Sequence, residues 1–123
     1  MKVRKVVVIG ASNKTDRYSY QAVKLLHEMR YQPIPVHPKL KEILGIQVCP
    51  SLEAVKDTDI DTIALYVNPE ISSGLVEQII QVKPRRVIFN PNTENPELAS
   101  KLAAAGIETL EACTLVMLRT GQF

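Results

Sequence analysis

Five short, strongly apolar runs alternate with segments of helical period, and this alternation constrains the fold more than any other feature of the chain. Val6 to Ile9 is a β-branched run stopped by Gly10. A polar stretch, Ala11 to Arg17, separates it from Tyr18 to Arg30, where Ala22, Val23, Leu26 and Met29 recur three and four residues apart and predict a helix with one inward stripe. Pro33 to His37 follows almost at once, too short for a helix and stopped by Pro38. A strand, a helix and a strand in this order make a right-handed βαβ crossover, which requires parallel neighbours.

The same grammar continues. Ser51 is placed to cap a short helix through Val55, Thr62 to Val67 reads as a strand, and Leu75, Val76, Ile79 and Ile80 mark the next helix. Arg86 to Phe89 is a fourth strand. The helix after it is well punctuated, with Asn95 at the N-cap, Pro96 at the first helical position and Gly106 as the stop. Ile107 to Leu110 supplies a fifth strand, and Cys113 to Arg119 a last helix in which Leu115, Val116 and Leu118 partly cover the sheet. The fold class expected is α/β: one three-layer Rossmann-like domain over residues 1–123, with a parallel sheet of about five strands and helices on both faces.

Length and charge narrow the function. A chain of 123 residues has room for one core, and 15 Lys and Arg against 13 Asp and Glu is too even a balance to make nucleic acid or an anionic membrane the expected partner. Lys2, Arg4 and Lys5 precede only a four-residue apolar run, so a strand is expected there in place of a signal peptide or membrane span. Cys49 and Cys113 lie far apart without metal-ligand spacing, so neither a zinc site nor a disulfide framework is expected, and a reducing cytoplasm is the simplest setting.

In an open doubly wound sheet, ligands bind beyond the carboxyl ends of the strands, so the loops after each strand are the places to search. The first loop has what an anion needs: Gly10 for the turn, polar side chains at Ser12, Asn13, Thr15 and Ser19, cations at Lys14 and Arg17, and a helix N-terminus behind them. A plainer reading is that any surface βα loop is polar and glycine-punctuated. The dinucleotide fingerprint would also require glycines at the positions of Ser12 and Thr15, so an NAD or FAD reading is weakened while phosphate binding stands. The second strand ends in His37-Pro38-Lys39 where an NAD site usually carries a carboxylate for the ribose. A cation there suits a ribose bearing its own phosphate, as in coenzyme A or NADP, and the competing reading of Lys39 and Lys41 is a solvated loop charge.

Several of these segments together resemble a known family. Val8-Ile9-Gly10-Ala11-Ser12, Arg17-Tyr18-Ser19, Ile34 to Lys39, Cys49-Pro50-Ser51-Leu52 and Val67-Asn68-Pro69 are similar to the small stand-alone coenzyme A-binding proteins, whose fold is like the N-terminal domain of the succinyl-CoA synthetase α-subunit. The resemblance covers nearly the whole chain. It implies that the first loop, with Gly10, Ala11, Ser12, Asn13, Arg17, Tyr18 and Ser19, holds the pyrophosphate; that His37, Pro38 and Lys39 lie along the 3′-phosphorylated ribose; and that Val67, Asn68 and Pro69 flank the adenine. Similar loops in the family border the pantetheine path where this chain has Asn90 to Asn95 and Glu111 to Thr114. No counterpart of the separate synthetase domain that carries the phosphorylated histidine is expected within these residues.

No catalytic residue is expected, because neither His27 nor His37 pairs with a nucleophile or carboxylate in a recognisable spacing, and no metal cluster can be assembled. The expectation is therefore a cytoplasmic CoA or acyl-CoA binding protein. An NADP-binding oxidoreductase or redox sensor, and an interaction module without a nucleotide, are the alternatives. Cys113 reads as a small buried hydrophobe or as a helix-start thiol able to exchange with a CoA thiol or disulfide, and the apolar Leu115 to Leu118 segment is a candidate homodimer face.

Overall fold

A computed structural model describes residues 3–123, so Lys2 of the basic start lies outside the described residues. The first strand lies inside the sheet and shows why the apolar runs carry no alternation: β1 (Lys5–Ile9) sends Val7 and Ile9 to one core cluster and Val6 and Val8 to the other, so both faces are buried. Val6, Val7 and Val8 have no exposed surface, and full burial of such side chains contributes about 1.5–3 kcal/mol each.

Five strands, β1, β2 (Gln32–Val36), β5 (Ile60–Leu65), β6 (Arg86–Phe89) and β7 (Glu108–Glu111), form one parallel sheet in the order β2-β1-β5-β6-β7. The expected α/β architecture is the one found. Helix α1 (Tyr18–Glu28) and α5 (Thr114–Arg119) pack together on the Val6/Val8 side, where Val23, Leu26 and Leu118 join that cluster. On the other face α3 (Val76–Val82) and α4 (Pro96–Ala104) contribute Ile79, Leu98 and Leu102. Among the described residues no helix is long and apolar enough to cross a membrane.

Two prolines in β2 are tolerated because that strand is at the sheet edge. Pro33 and Pro35 share one side of the strand, and Pro35 turns its carbonyl away from β1 to accept from Cys49 N at 2.9 Å. The β1 side is left to residues such as Gln32, whose N–H donates to Arg4 O at 2.9 Å.

Several local expectations are corrected. The second strand ends at Val36, which leaves His37 outside it, and the third expected strand ends at Leu65, which releases Tyr66 and Val67. Helix α1 stops at Glu28, and Met29, expected on the inward stripe, is its exposed C-cap. Ser51 precedes a single 3-10 turn, Leu52–Ala54, without a capping hydrogen bond from its side chain. Val116 is 54% exposed, so of the three apolar α5 residues only Leu115 and Leu118 cover the sheet. A small antiparallel hairpin, β3 (Glu42–Ile43) with β4 (Ile46–Gln47), and a short helix, α2 (Pro69–Ser73), were not expected from the sequence. Asn95 and Pro96 do start α4 as expected, with Asn95 Oδ1 accepting from Leu98 N at 3.1 Å.

Candidate functional site

The strand order places the candidate site. Sequence-adjacent β1 and β2 lie on one side and β5, β6 and β7 run the other way, so the order reverses between β1 and β5, where their following loops part above the sheet. A cleft of about 740 Å³ opens at this point, within the range of ligand-sized pockets. Its walls come from three loops: residues 10–14 and 17–19 after β1, residues 37–40 after β2, and Tyr66 with Val67 after β5.

Gly10 joins these walls and is the position where no other residue fits. Its φ is +85°, and a Cβ placed on it would lie 2.9 Å from Val67 Cγ1 and 3.0 Å from Tyr66 O. Gly10 N and Ala11 N both donate to Val36 O, at 3.2 and 3.3 Å, so the loop start is pinned to the end of β2. Ser12 Oγ then accepts from Lys14 N at 3.0 Å and turns the chain back toward α1.

The helix end that this turn reaches is poorly compensated. Arg17 is its N-cap and makes no capping hydrogen bond, and no acidic side chain occupies the first turn. The N–H groups there and the positive end of the helix dipole remain available to an anion. Lys14, Arg17 and Lys39 add cations at the cleft, and no carboxylate lines it. By contrast, the depressions of about 430 and 420 Å³ around Glu53, Gln78 and Gln81 include Glu77 and Asp57 in their walls and would repel a polyanion.

On the second loop, His37 acts as a staple. Its Nδ1 accepts from Lys39 N at 3.0 Å and from Leu40 N at 3.1 Å, which assigns the ring proton to Nε2 and fixes the Pro38-Lys39 turn. Lys39 and Pro38 are exposed at the rim. On the third loop Tyr66 N donates to Ile9 O at 2.9 Å, extending the β1–β5 pairing to the cleft edge. Burial pushes the Tyr66 hydroxyl well above its ordinary pKa; the neighbouring Thr114 acts in the opposite direction, and the charge of a Cys113 thiolate adds to the rise. Thr114 forms no well-aligned hydrogen bond with it: the hydroxyls of Tyr66 and Thr114 are both buried without a partner among the described residues.

Eleven of the expected residues thus line one cleft: Gly10, Ala11, Ser12, Asn13, Arg17, Tyr18, Ser19, His37, Pro38, Lys39 and Val67. Asn68 and Pro69 do not. Asn68 Oδ1 accepts from Ile71 N at 3.0 Å and Pro69 takes the first helical position, so this pair starts α2 just beyond the wall. Leu40 and Tyr66 were missed by sequence reasoning; Leu40 follows a loop cation, and Tyr66 is indistinguishable in the sequence from the strand that precedes it. His27 is exposed on α1, outside the cleft, and no group of three or more metal-ligating side chains occurs among the described residues.

Comparison with known proteins gives the fold and the family. A solved structure of an uncharacterized protein is 39% identical, covers 100% of both chains and superposes with a TM-score of 0.92. A hypothetical protein from Pyrococcus horikoshii OT3 is 32% identical over 97% of this chain and 84% of its own, with a TM-score of 0.89. The dinucleotide-forming acetyl-coenzyme A synthetase 1 of Ca. Korarchaeum cryptofilum shares the fold, at 18% identity over 88% of this chain and 25% of its own, with a TM-score of 0.75. The uncharacterized protein YneT of Bacillus subtilis (strain 168) is 30% identical over 78 residues, a match that takes in 63% of this chain and 57% of that protein. The model of the CoA binding domain matches residues 4–119, nearly the whole chain, and the chain belongs to that family.

Proposed function

We propose that the chain binds coenzyme A, free or acylated, in the cleft between the β1 and β5 loops. The observation that carries this reading is a cation-bearing, carboxylate-free cleft at the switch point of the sheet in a chain of the CoA binding domain family. The ligand's pyrophosphate lies on residues 10–13 and the start of α1, with Arg17, Tyr18 and Ser19 around it. Its 3′-phosphate meets Lys39 on the turn that His37 holds. Val67 flanks the adenine, and Asn68 and Pro69 keep Val67 in place by starting α2.

Family membership favours coenzyme A over NADP as the ligand with a phosphorylated ribose. Binding is the whole of the activity proposed. Calorimetric titration of the purified chain with CoA, dephospho-CoA, NADP and NAD tests it: CoA is expected to bind most tightly and NAD most weakly. NAD preferred over CoA would refute it.

A further inference from the structure

Three turns at the carboxyl edge of the sheet share one device. In each, the side chain of the residue before a proline accepts from a backbone N–H three residues on: Asn68 Oδ1 from Ile71 N at 3.0 Å, Asn95 Oδ1 from Leu98 N at 3.1 Å, and His37 Nδ1 from Leu40 N at 3.1 Å. His37 Nδ1 also accepts from Lys39 N at 3.0 Å. The two asparagine oxygens remain acceptors when the pH changes. The imidazole nitrogen does not: histidine takes up a second ring proton between about pH 5 and 8, both nitrogens then donate, and a flip of the ring cannot restore an acceptor.

We propose that the neutral His37 imidazole is a positioning residue for coenzyme A, and that its protonation frees the Pro38-Lys39 turn and weakens the hold on the ligand's 3′-phosphate. This rests on the proposed reading of the cleft as a CoA site. Pro38 and Lys39 are exposed at the rim, and backbone bonds tie down the ends of their loop: His37 N donates to Cys49 O at 3.0 Å, and Val48 N donates to Lys41 O at 3.0 Å. Between those ties, Nδ1 gathers the N–H groups of Lys39 and Leu40 to one point. Losing both bonds at once leaves Lys39 on a looser loop, and ordering that loop again costs part of the binding energy.

The charged and titratable groups on the surrounding elements decide the sign of the effect. Lys14 and Arg17 after β1, Tyr66 after β5 and Lys39 itself line the same cleft; Lys41 and Glu42 continue the loop into β3, and Cys49, with Asp57 as its charged neighbour, follows β4. A charge on His37 would itself attract a phosphate. An anion in the cleft already has Lys14, Arg17 and Lys39 to meet, and one more solvent-screened cation adds little. Loosening of the turn therefore prevails: CoA affinity is full above the range in which imidazole titrates and falls as pH is lowered through it.

The test is calorimetric titration of the full chain with CoA at about pH 8 and about pH 5.5, for the unmutated protein, His37→Asn, His37→Ala and His27→Gln. The ligand's own phosphate gains a proton in this range, so the chains are compared with one another at each pH. His37→Asn places an oxygen that does not titrate where Nδ1 stands, as at Asn68 and Asn95. It should rescue the roughly fivefold loss of affinity that His37→Ala shows at the higher pH, and at the lower pH it should bind CoA about fivefold more tightly than the unmutated chain. His27→Gln, outside the cleft, should follow the unmutated chain throughout. The positioning role is overturned if His37→Ala matches the unmutated chain at the higher pH, or if the unmutated chain binds as tightly as His37→Asn, or more so, at the lower. NMR of the unmutated chain decides the matter even where a variant fails to fold: the Lys39 and Leu40 amide signals should shift together with those of the His37 ring, and amides that ignore its titration would overturn the role. CoA binding that is indifferent to His37 sinks only this inference, whereas no CoA binding at the higher pH sinks the proposed function as well.

Discussion

Replacing Gly10 by alanine should be among the most damaging single-methyl changes in this chain. The backbone there has φ +85°, where a Cβ costs about 1–2 kcal/mol. The added carbon would also stand 3.0 Å from Tyr66 O and 3.1 Å from Tyr66 C. Those are backbone atoms, held by the 2.9 Å hydrogen bond from Tyr66 N to Ile9 O, so they cannot swing aside as Val67 Cγ1 can. Forcing such packed groups apart typically adds about 1–3 kcal/mol, and the expected total is about 2–5 kcal/mol. Gly106 supplies the control: its φ is +84°, yet nothing lies within 4 Å of a Cβ placed on it. Gly106→Ala should therefore cost only the backbone part. Urea unfolding of both variants separates the two contributions, and Gly10→Ala should also weaken CoA by shifting the loop that carries Ser12. If Gly10→Ala costs no more than Gly106→Ala, the close approach of the two loops is not what makes glycine necessary.

Two further expectations concern stability. Asn95 caps α4 and also donates from Nδ2 to Ser72 Oγ and Ser73 Oγ, each at 2.9 Å, so Asn95→Ala should cost about 2–3 kcal/mol by denaturant unfolding. Asn68→Ala, which removes an exposed cap, should cost about 1 kcal/mol or less, and equal costs would contradict the bridging role of Asn95. At the amino edge of the sheet, burial alone would raise the Asp61 pKa, but hydrogen bonds from Arg85, Arg4 and Thr62 prevail and hold it well below the usual carboxylate range. A depressed folded pKa gives stability that is present above the unfolded value of about 4 and is lost as pH falls toward the folded one. Asp61→Asn should thus cost about 1 kcal/mol at pH 7, where partly exposed partners limit the gain, and the gap from the unmutated chain should narrow as pH falls below about 4 and close as it approaches the depressed folded value. A gap unchanged with pH would mean that the carboxylate charge contributes nothing.

What the sequence conveyed depended on how many residues shared the signal. Val6 to Ile9 and Val87 to Phe89 are apolar on every residue because both sheet faces are covered, and no other element of that length fits. Asn95-Pro96 is likewise a local chemical instruction. The β3–β4 hairpin escaped because each strand has two residues and its turn is Leu44-Gly45, with Leu44 at φ 55°, a conformation its side chain gives no reason to expect. Asn68-Pro69 repeats the Asn95-Pro96 signal and marked the start of α2, but the expected apolar stripe began only at Leu75. For the site, the loops could be located from strand ends alone. The Asn90 side chain, which donates from Nδ2 to Leu65 O at 3.0 Å and accepts from Thr114 N at 2.8 Å, joins residues 24 or more apart, which no local pattern encodes.

The most direct test of the proposed site is the loss of affinity on Lys39→Ala for CoA compared with dephospho-CoA, measured by calorimetry at one salt concentration. The two ligands differ only in the 3′-phosphate, so the comparison isolates the contact assigned to the exposed Lys39 ammonium. An exposed charge-assisted contact contributes about 1–1.5 kcal/mol, so CoA should weaken by about tenfold and dephospho-CoA by little. Equal losses for the two ligands, or none for either, would contradict the assignment of the 3′-phosphate to this end of the cleft.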